Sequence, residues 1–517
     1  MSHRNTGLYA FFAIIFFTIL STSMLLSGCK SNSVFQSTGD TIADGKVLVQ
    51  KYCTKCHEEV DPKLLTKDVW NFHTLPTMSR YLGLSTFSQT NYYKKPTDTG
   101  GVSLDEWLII RTYFNKLAPN ELPAIKEPQP LLNDWAGFTL RKPQAADKVV
   151  HTSLVAFDSI NSKLYTSDLV STKLTEWDAN LKPHAVADLP SAPVDAIFSK
   201  GVNGQNEGVF SCIGQIIPMD FPNGKVVNLN LDGKNAVNKP SIIQEDLGRP
   251  VQTLAGDFNK DGLTDYVILA QGHFVGGVYL MKQKSDHSFI QSNISDKPGA
   301  VQAIAGDFNQ DGWLDLMVLY GSGEEGLWLY TNDHKGGFTG RSLINFPAVN
   351  GSSSFQLADI NHDGKLDLIY TCGYNYKDSR ILKPYHGLYV FTNQGDWSFK
   401  QSYYYPINGT TKAIAADFDG DGDLDIATIS FFADLKGNPA ESFIYFEQDK
   451  PLSFKPHAIP ISKYGHWMNM TVADVNHDGK PDIILGNYAD GLLIQDGLKP
   501  FWDQHLPFVI LENHTQK

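Results

Sequence analysis

Two hydrophobic periods divide the chain. Up to about residue 118 apolar residues recur at helical spacing, and from about residue 145 they alternate with polar ones. Ile42 to Tyr52 has the three- and four-residue intervals of a helix with one buried face. A second helix is predicted to start at Thr66, an N-cap residue, to run through Val69, Trp70 and Phe72, and to stop at Leu75-Pro76, because proline has no amide hydrogen to give to an ongoing helix. Ser103-Leu104-Asp105-Glu106 is a capping box, and it opens a third helix through Trp107, Leu108, Ile110, Arg111, Tyr113, Phe114 and Leu117. Residues 119–145 are rich in proline and read as a linker. Beyond them, short runs such as Leu154-Val155-Ala156-Phe157, Tyr266-Val267-Ile268-Leu269 and Ile483-Ile484-Leu485 predict strands.

The first predicted helix leads into Tyr52-Cys53-Thr54-Lys55-Cys56-His57. The spacing C-x-x-C-H is the attachment sequence of a c-type haem: two thiols add to the two vinyl groups of one porphyrin, and the adjoining His57 lies under the iron as proximal ligand. A small disulfide, a zinc site completed by His73, and coincidence are the other readings. Met78 stands as candidate sixth ligand, since a thioether favours ferrous iron and suits an electron carrier, with His73 as its competitor and core filling as the bland reading. Leu75-Pro76-Thr77-Met78 resembles the loop that carries the methionine in small bacterial cytochromes c, and the third helix resembles the last helix of that family. The resemblance implies a small all-α cytochrome c domain over residues 41–118 holding one covalent haem.

Ahead of it, Leu8 to Leu26 is an uncharged apolar run that follows Arg4 and ends in Leu26-Ser27-Gly28-Cys29. That ending resembles the lipobox of bacterial lipoproteins, which implies a signal peptide over 1–28, lipidation of Cys29 and a spacer over 29–40. An uncleaved membrane anchor is the alternative. Both put the remainder outside the cytoplasm, tethered to a membrane of the bacterial envelope, and Lys30 after the cysteine favours the outer membrane.

In the alternating region a nine-residue pattern D-x-[ND]-x-D-G-x-x-D recurs five times at intervals of 50, 52, 58 and 57 residues. Oxygen ligands at positions 1, 3 and 5, a glycine at 6 for the sharp turn, a carbonyl at 7 and a closing carboxylate at 9 would wrap a hard cation such as Ca²⁺. The candidate ligands are Asp257, Asn259, Asp261, Leu263 and Asp265; Asp307, Asn309, Asp311, Trp313 and Asp315; Asp359, Asn361, Asp363, Lys365 and Asp367; Asp417, Asp419, Asp421, Asp423 and Asp425; and Asp474, Asn476, Asp478, Lys480 and Asp482. EF-hands are excluded, because Ile268, Val318, Tyr370, Thr428 and Leu485 stand where the bidentate glutamate belongs and strands follow the loops.

These loops resemble the FG-GAP or VCBS repeats of bacteria, which are related to the propeller of integrin α chains, with Ala-Gly-Asp-Phe-Asn-x-Asp-Gly-x-x-Asp at Ala255 and Ala305. The resemblance implies an all-β propeller over 146–512 with about five calcium ions between first and second strands. A period near 50 residues fits propeller blades. Two worn copies, at Pro193 to Gly214 and Val149 to Leu189, bring the expected count to seven, with six or eight as alternatives.

Composition refines this in two places. The formal charge is −13, with no long basic run, so nucleic acid is not an expected partner; seventeen aspartates lie in the five loops, and five divalent cations would offset most of the excess. Of five cysteines, Cys212 and Cys372 belong to no motif and read as free, partly buried thiols. On the face away from the acidic loops, Tyr374, Tyr376, Arg380, Tyr385 and His386 in the longest loop, with Arg249, His466 and Trp467 beside it, form a candidate surface for a partner. The leading expectation is a membrane-tethered electron carrier whose propeller docks a redox partner protein or small substrate. A surface protein that binds a glycan or protein, and a dehydrogenase that passes electrons to the fused haem, are the alternatives.

Overall fold

The computed structural model describes residues 35–515 apart from 88–91, 95–100, 126–127, 202–203, 218–219, 233–238, 376–380, 492–493 and 496. Cys29 and the apolar leader lie outside the described residues, as do Tyr376 and Arg380. Among the described residues no helix is long and apolar enough to cross a membrane.

Residues from 138 onward form seven four-stranded antiparallel sheets around an axis, the seven-bladed β-propeller. Blade one runs from Thr152–Asp158 to Pro183–Asp188, blade two from Pro193–Lys200 to Ser241–Leu247, and blade three from Pro250–Gly256 to Phe289–Ser295. Blades four, five and six start at Ala300–Gly306, Ser352–Ala358 and Lys412–Ala416. Blade seven takes three strands from the end of the chain, Trp467–Ala473, Asp482–Asn487 and Phe508–Asn513, and its outermost strand, Phe138–Arg141, from the stretch read as a linker. Linker and blade therefore overlap in sequence, and the ring is closed by strand pairing between residues some 370 positions apart, such as Phe138 with Asn513.

Second strands are buried from end to end, for example Asp265–Ala270 and Asp315–Tyr320, because each is a central strand with a neighbouring blade on both faces. Fourth strands such as Phe338–Asn345 keep an exposed edge and are correspondingly more polar.

The N-terminal region has its own core, in which Leu48, Val69, Trp70, Trp107, Ile110 and Phe114 are buried together. Helix Thr41–Tyr52, capped by Asp40, crosses helix Leu104–Leu117 at Gly45, where a Cβ would stand 2.3 Å from that of Tyr113. Only glycine allows that approach. The capping box forms as expected, Ser103 Oγ accepting the Glu106 amide and Glu106 Oε2 the Ser103 amide.

Two expectations for this region need correction. It is not purely helical, since Ser85–Phe87 pairs with Tyr92–Lys94. Nor does the second helix stop at Leu75-Pro76: Lys67–Val69 continues through a π turn, Trp70–Thr74, into Leu75–Tyr81. The wide turn makes room for the proline ring one residue into the next helical segment, where an α-helix would have collided with it. Met78 consequently sits on a helix and not in a loop.

Candidate functional site

Cys53 follows helix Thr41–Tyr52 directly and opens the 3₁₀ turn Cys53–Lys55, with the Cys56 amide donating to the Cys53 carbonyl at 3.3 Å. Both thiols are free; Cys53 is half-buried against the helical core and Cys56 is exposed. Burial, with smaller contributions from Cys56 and Glu59, pushes the Cys53 thiol up to about 11. His57 Nδ1 lies 2.7 Å from the Glu58 carbonyl oxygen, which can only accept, so Nδ1 is the donor and Nε2 is left for another partner. This donor set fits a covalently bound haem: two accessible thiols three residues apart and an imidazole with Nε2 free to ligate. A cavity of about 520 Å³ opens beside it, lined by Thr54, Lys55, Cys56, His57, Glu58 and Glu59 on one side and by Glu324 of blade four on the other. Neither Met78, which packs on the helical core, nor the exposed His73 lines that cavity.

Glu324 belongs to the propeller, and its presence there reflects how the two parts meet. The Glu58 carboxylate accepts from Asn345 Nδ2 at 2.9 Å, the Leu64 carbonyl accepts from the Tyr385 hydroxyl at 3.1 Å, and the Tyr81 ring lies 4.6 Å from that of Phe274. Ala348, Val349 and Ile381 pack against the helical core. These propeller residues lie in connections, or for Asn345 at the end of strand Phe338–Asn345, on the face opposite the acidic loops in blades three to five. The face expected to be open is thus partly covered by the chain's own helical region.

Four residues expected on an open rim are inside the protein. Arg249 is buried, donating to the carbonyls of Gln215 and Ile216 and to Gln271 Oε1. His386, His466 and Trp467 are also buried. The His466 ring nitrogens lie 3.1 and 2.6 Å from the carbonyls of Tyr488 and Phe431, and burial pulls its pKa down to about 4. Arg249 and His466 meet backbone carbonyls, whereas both ring nitrogens of His386 and the indole nitrogen of Trp467 are buried without a hydrogen-bond partner among the described residues. Tyr374, half-buried 5.6 Å from the Phe432 ring, and Tyr385 keep some exposure. Cys212 and Cys372 are free and fully buried.

Four of the five acidic loops share one geometry, and the fifth keeps part of it. In the first, Asp257 accepts the amides of Asp261 and Gly262 at 3.1 and 2.9 Å, and Asp261 accepts that of Leu263 at 2.8 Å. The loops at Asp307, Asp359 and Asp474 repeat those bonds, and the Asp417 loop keeps the bond to the glycine at position 6. The carboxylates of Asp417, Asp419 and Asp421 have oxygens within 4.8 Å of one another.

The ninth residue has a second task that the pattern did not disclose. Asp265, Asp315, Asp367, Asp425 and Asp482 are fully buried, and each accepts an amide from the end of the third strand: Gln283, Asn332, Asn393, Gln448 and Asn513, at 2.8 to 2.9 Å. Burial raises the pKa of all five, and nearby loop carboxylates add to it; Asp425 is pushed up to about 6.

The model of the FG-GAP-like repeat matches residues 257–318, 307–370 and 381–428, and the propeller therefore carries FG-GAP repeats. The first two matches start at an acidic loop and end in the second strand of the following blade, so repeat and blade are out of phase. No curated protein matches the sequence. Among solved structures, an ancestral GH74 enzyme is 9% identical with a TM-score of 0.46, the alignment covering 83% of this chain and 53% of that one. A catalytically inactive virginiamycin B lyase of Staphylococcus aureus is 11% identical, covering 72% and 99%, with a TM-score of 0.45. A gluconolactonase of Xanthomonas campestris is 12% identical, covering 60% and 94%, with a TM-score of 0.34.

Proposed function

We propose that this protein is an electron-transfer protein of the bacterial cell envelope, with one haem c on Cys53, Cys56 and His57 and a calcium-stabilised propeller that docks its partner. The observation that carries the reading is the C-x-x-C-H turn with His57 Nδ1 bonded to the Glu58 carbonyl, which leaves Nε2 for iron. When bound, haem supplies a one-electron couple. The chain supplies its attachment, its orientation and, through the compact helical core, shielding from water; on this reading residues 41–118 are the cytochrome c domain.

The cavity rim carries Glu58, Glu59 and Glu324 against Lys55. Such a rim favours a partner with a basic patch, whose association slows as salt rises. Lipidation of Cys29 would hold the site at a membrane surface, outer rather than inner. Calcium is the cation of choice for the five loops because the ligands are many, all oxygen and all from the chain. FG-GAP repeats also suit a second reading, a surface protein that recognises a glycan or protein.

The test is an absorption spectrum of the purified full-length protein, expressed with cytochrome c maturation, with and without dithionite. A c-type spectrum that survives denaturation and is lost in Cys53→Ala/Cys56→Ala supports the reading, and a haem-free protein ends it. The methionine-sulfur charge-transfer band, compared in Met78→Ala and His73→Ala, assigns the sixth ligand.

A further inference from the structure

Besides Glu324, one more side chain of blade four reaches the segment that carries His57. Asn345 closes strand Phe338–Asn345, where its backbone pairs with Gly326. The residue after it is firmly held: the Phe346 amide donates to the Glu325 carbonyl at 3.0 Å, and the Phe346 ring stacks on that of Tyr370 at 4.2 Å. The Ser342 hydroxyl donates to Asn345 Oδ1 at 2.5 Å, so the amide nitrogen is the end turned to Glu58.

Glu58 is bonded through both its side chain and its backbone. Its carboxylate accepts from Asn345 Nδ2 at 2.9 Å, and its carbonyl oxygen lies 2.7 Å from His57 Nδ1. Glu58 lies in neither helix nor strand, so no ladder of backbone hydrogen bonds fixes that carbonyl. Its side chain ties it to a rigid element, and that element belongs to the propeller, 287 positions away along the chain.

We infer that Asn345 is a positioning residue for the haem site: through Glu58 it holds the carbonyl that orients the His57 ring. Asn345 has this role only on the haem reading proposed above. A histidine whose Nδ1–H is held by an acceptor is a more basic ligand at Nε2, and a more basic axial ligand favours the ferric state. Blade four thereby tunes a redox couple attached to the helical region. Asn345 and Glu58 are both exposed, so substitutions there leave the two cores intact.

The midpoint potential of the haem-loaded full chain, read by spectroelectrochemical titration, tests this. Asn345→Leu removes the donor at nearly constant volume and charge and is expected to raise the potential. Glu58→Gln/Asn345→Asp reverses the polarity of the same bond, with the amide on the 58 side and the carboxylate on the 345 side, at unchanged net charge. It is expected to return the potential to the wild-type value. Tyr81→Ala, which weakens docking elsewhere in the interface, is expected to leave the potential unchanged. A wild-type potential in Asn345→Leu overturns the role, as does a double variant shifted as far as Asn345→Leu or an equal shift in Tyr81→Ala. A wild type without haem ends the haem reading and this role together, whereas a haem-loaded wild type with unresponsive variants ends this role alone. Where thermal unfolding shows Asn345→Leu to be misfolded, Asn345→Ala is read in its place.

Discussion

The Tyr385 hydroxyl donates to the Leu64 carbonyl oxygen at 3.1 Å, tying the longest loop of blade five to the helical region that carries the Cys53–His57 turn. Sequence alone had put Tyr385 on a surface awaiting a partner. Its partner, in part, is the same chain. Docking places Glu324 of blade four across a cavity from Cys56 and His57, so the propeller shapes the surroundings of the motif.

That docking is weak enough to be tested by single changes. Tyr385→Phe removes one neutral hydrogen bond, worth about 1 kcal/mol, and Tyr81→Ala removes the ring contact with Phe274. Each variant is expected to raise the rate of limited proteolysis between residues 119 and 137 without lowering the unfolding temperature of the propeller, and the pair to raise it further. Cleavage at the wild-type rate in the double variant would mean that these contacts do not hold the two parts together.

Closure of the ring depends on a short strand. Phe138 is buried, with its ring 6.0 Å from Phe418 and 5.2 Å from Tyr445. Phe138→Ala is expected to cost about 3–5 kcal/mol, from lost burial and the cavity left behind. Urea denaturation followed by tryptophan fluorescence measures it; a cost below about 1 kcal/mol would show that blade seven stands without its fourth strand.

For the acidic loops, chelation of calcium is expected to lower the unfolding temperature and added calcium to restore it, because carboxylates crowd one another in each loop, most closely at Asp417, Asp419 and Asp421. Asp417→Ala is expected to reduce the calcium-dependent part of the stabilisation by removing one site. An unfolding temperature indifferent to both chelator and calcium would leave the loops as acidic turns.

Acid sensitivity of the helical region is expected to trace to Glu106. Burial raises its pKa, but hydrogen bonds from the Ser103 amide, Lys51, the Ser103 hydroxyl and Tyr52 outweigh it and bring the carboxyl down to about 2. A pKa lower in the folded than in the unfolded state stabilises above the unfolded value, about 4.5, and that stabilisation fades as pH falls toward 2. Glu106→Gln should flatten the dependence between those values, read from circular dichroism melts; an unchanged slope would assign it to other carboxylates.

How much was legible in advance differs by residue. Ser103 and Glu106 announced a helix start because a capping box is satisfied within four residues, and the proposed haem reading of Cys53, Cys56 and His57 comes from the sequence alone because the spacing itself is the requirement. Pro76 misled, since the π turn that accommodates it depends on Trp70 and the core around it. Phe138–Arg141 gave little signal: four alternating residues in a proline-rich stretch do not reveal a strand whose partner lies at the far end of the chain. The burial of Arg249, His386, His466 and Trp467 was equally hidden, because loop residues of this kind are commonly exposed.

The sequence by itself determined the local matters: where strands alternate, where five loops turn at glycine, and where the capping box starts a helix, all being set by neighbours within a dozen positions. Tertiary structure decided that seven blades close through Phe138–Arg141 and that the helical region rests on the face away from the acidic loops. Those relations join residues hundreds of positions apart, and no local pattern encodes a distance that only closure of the ring creates.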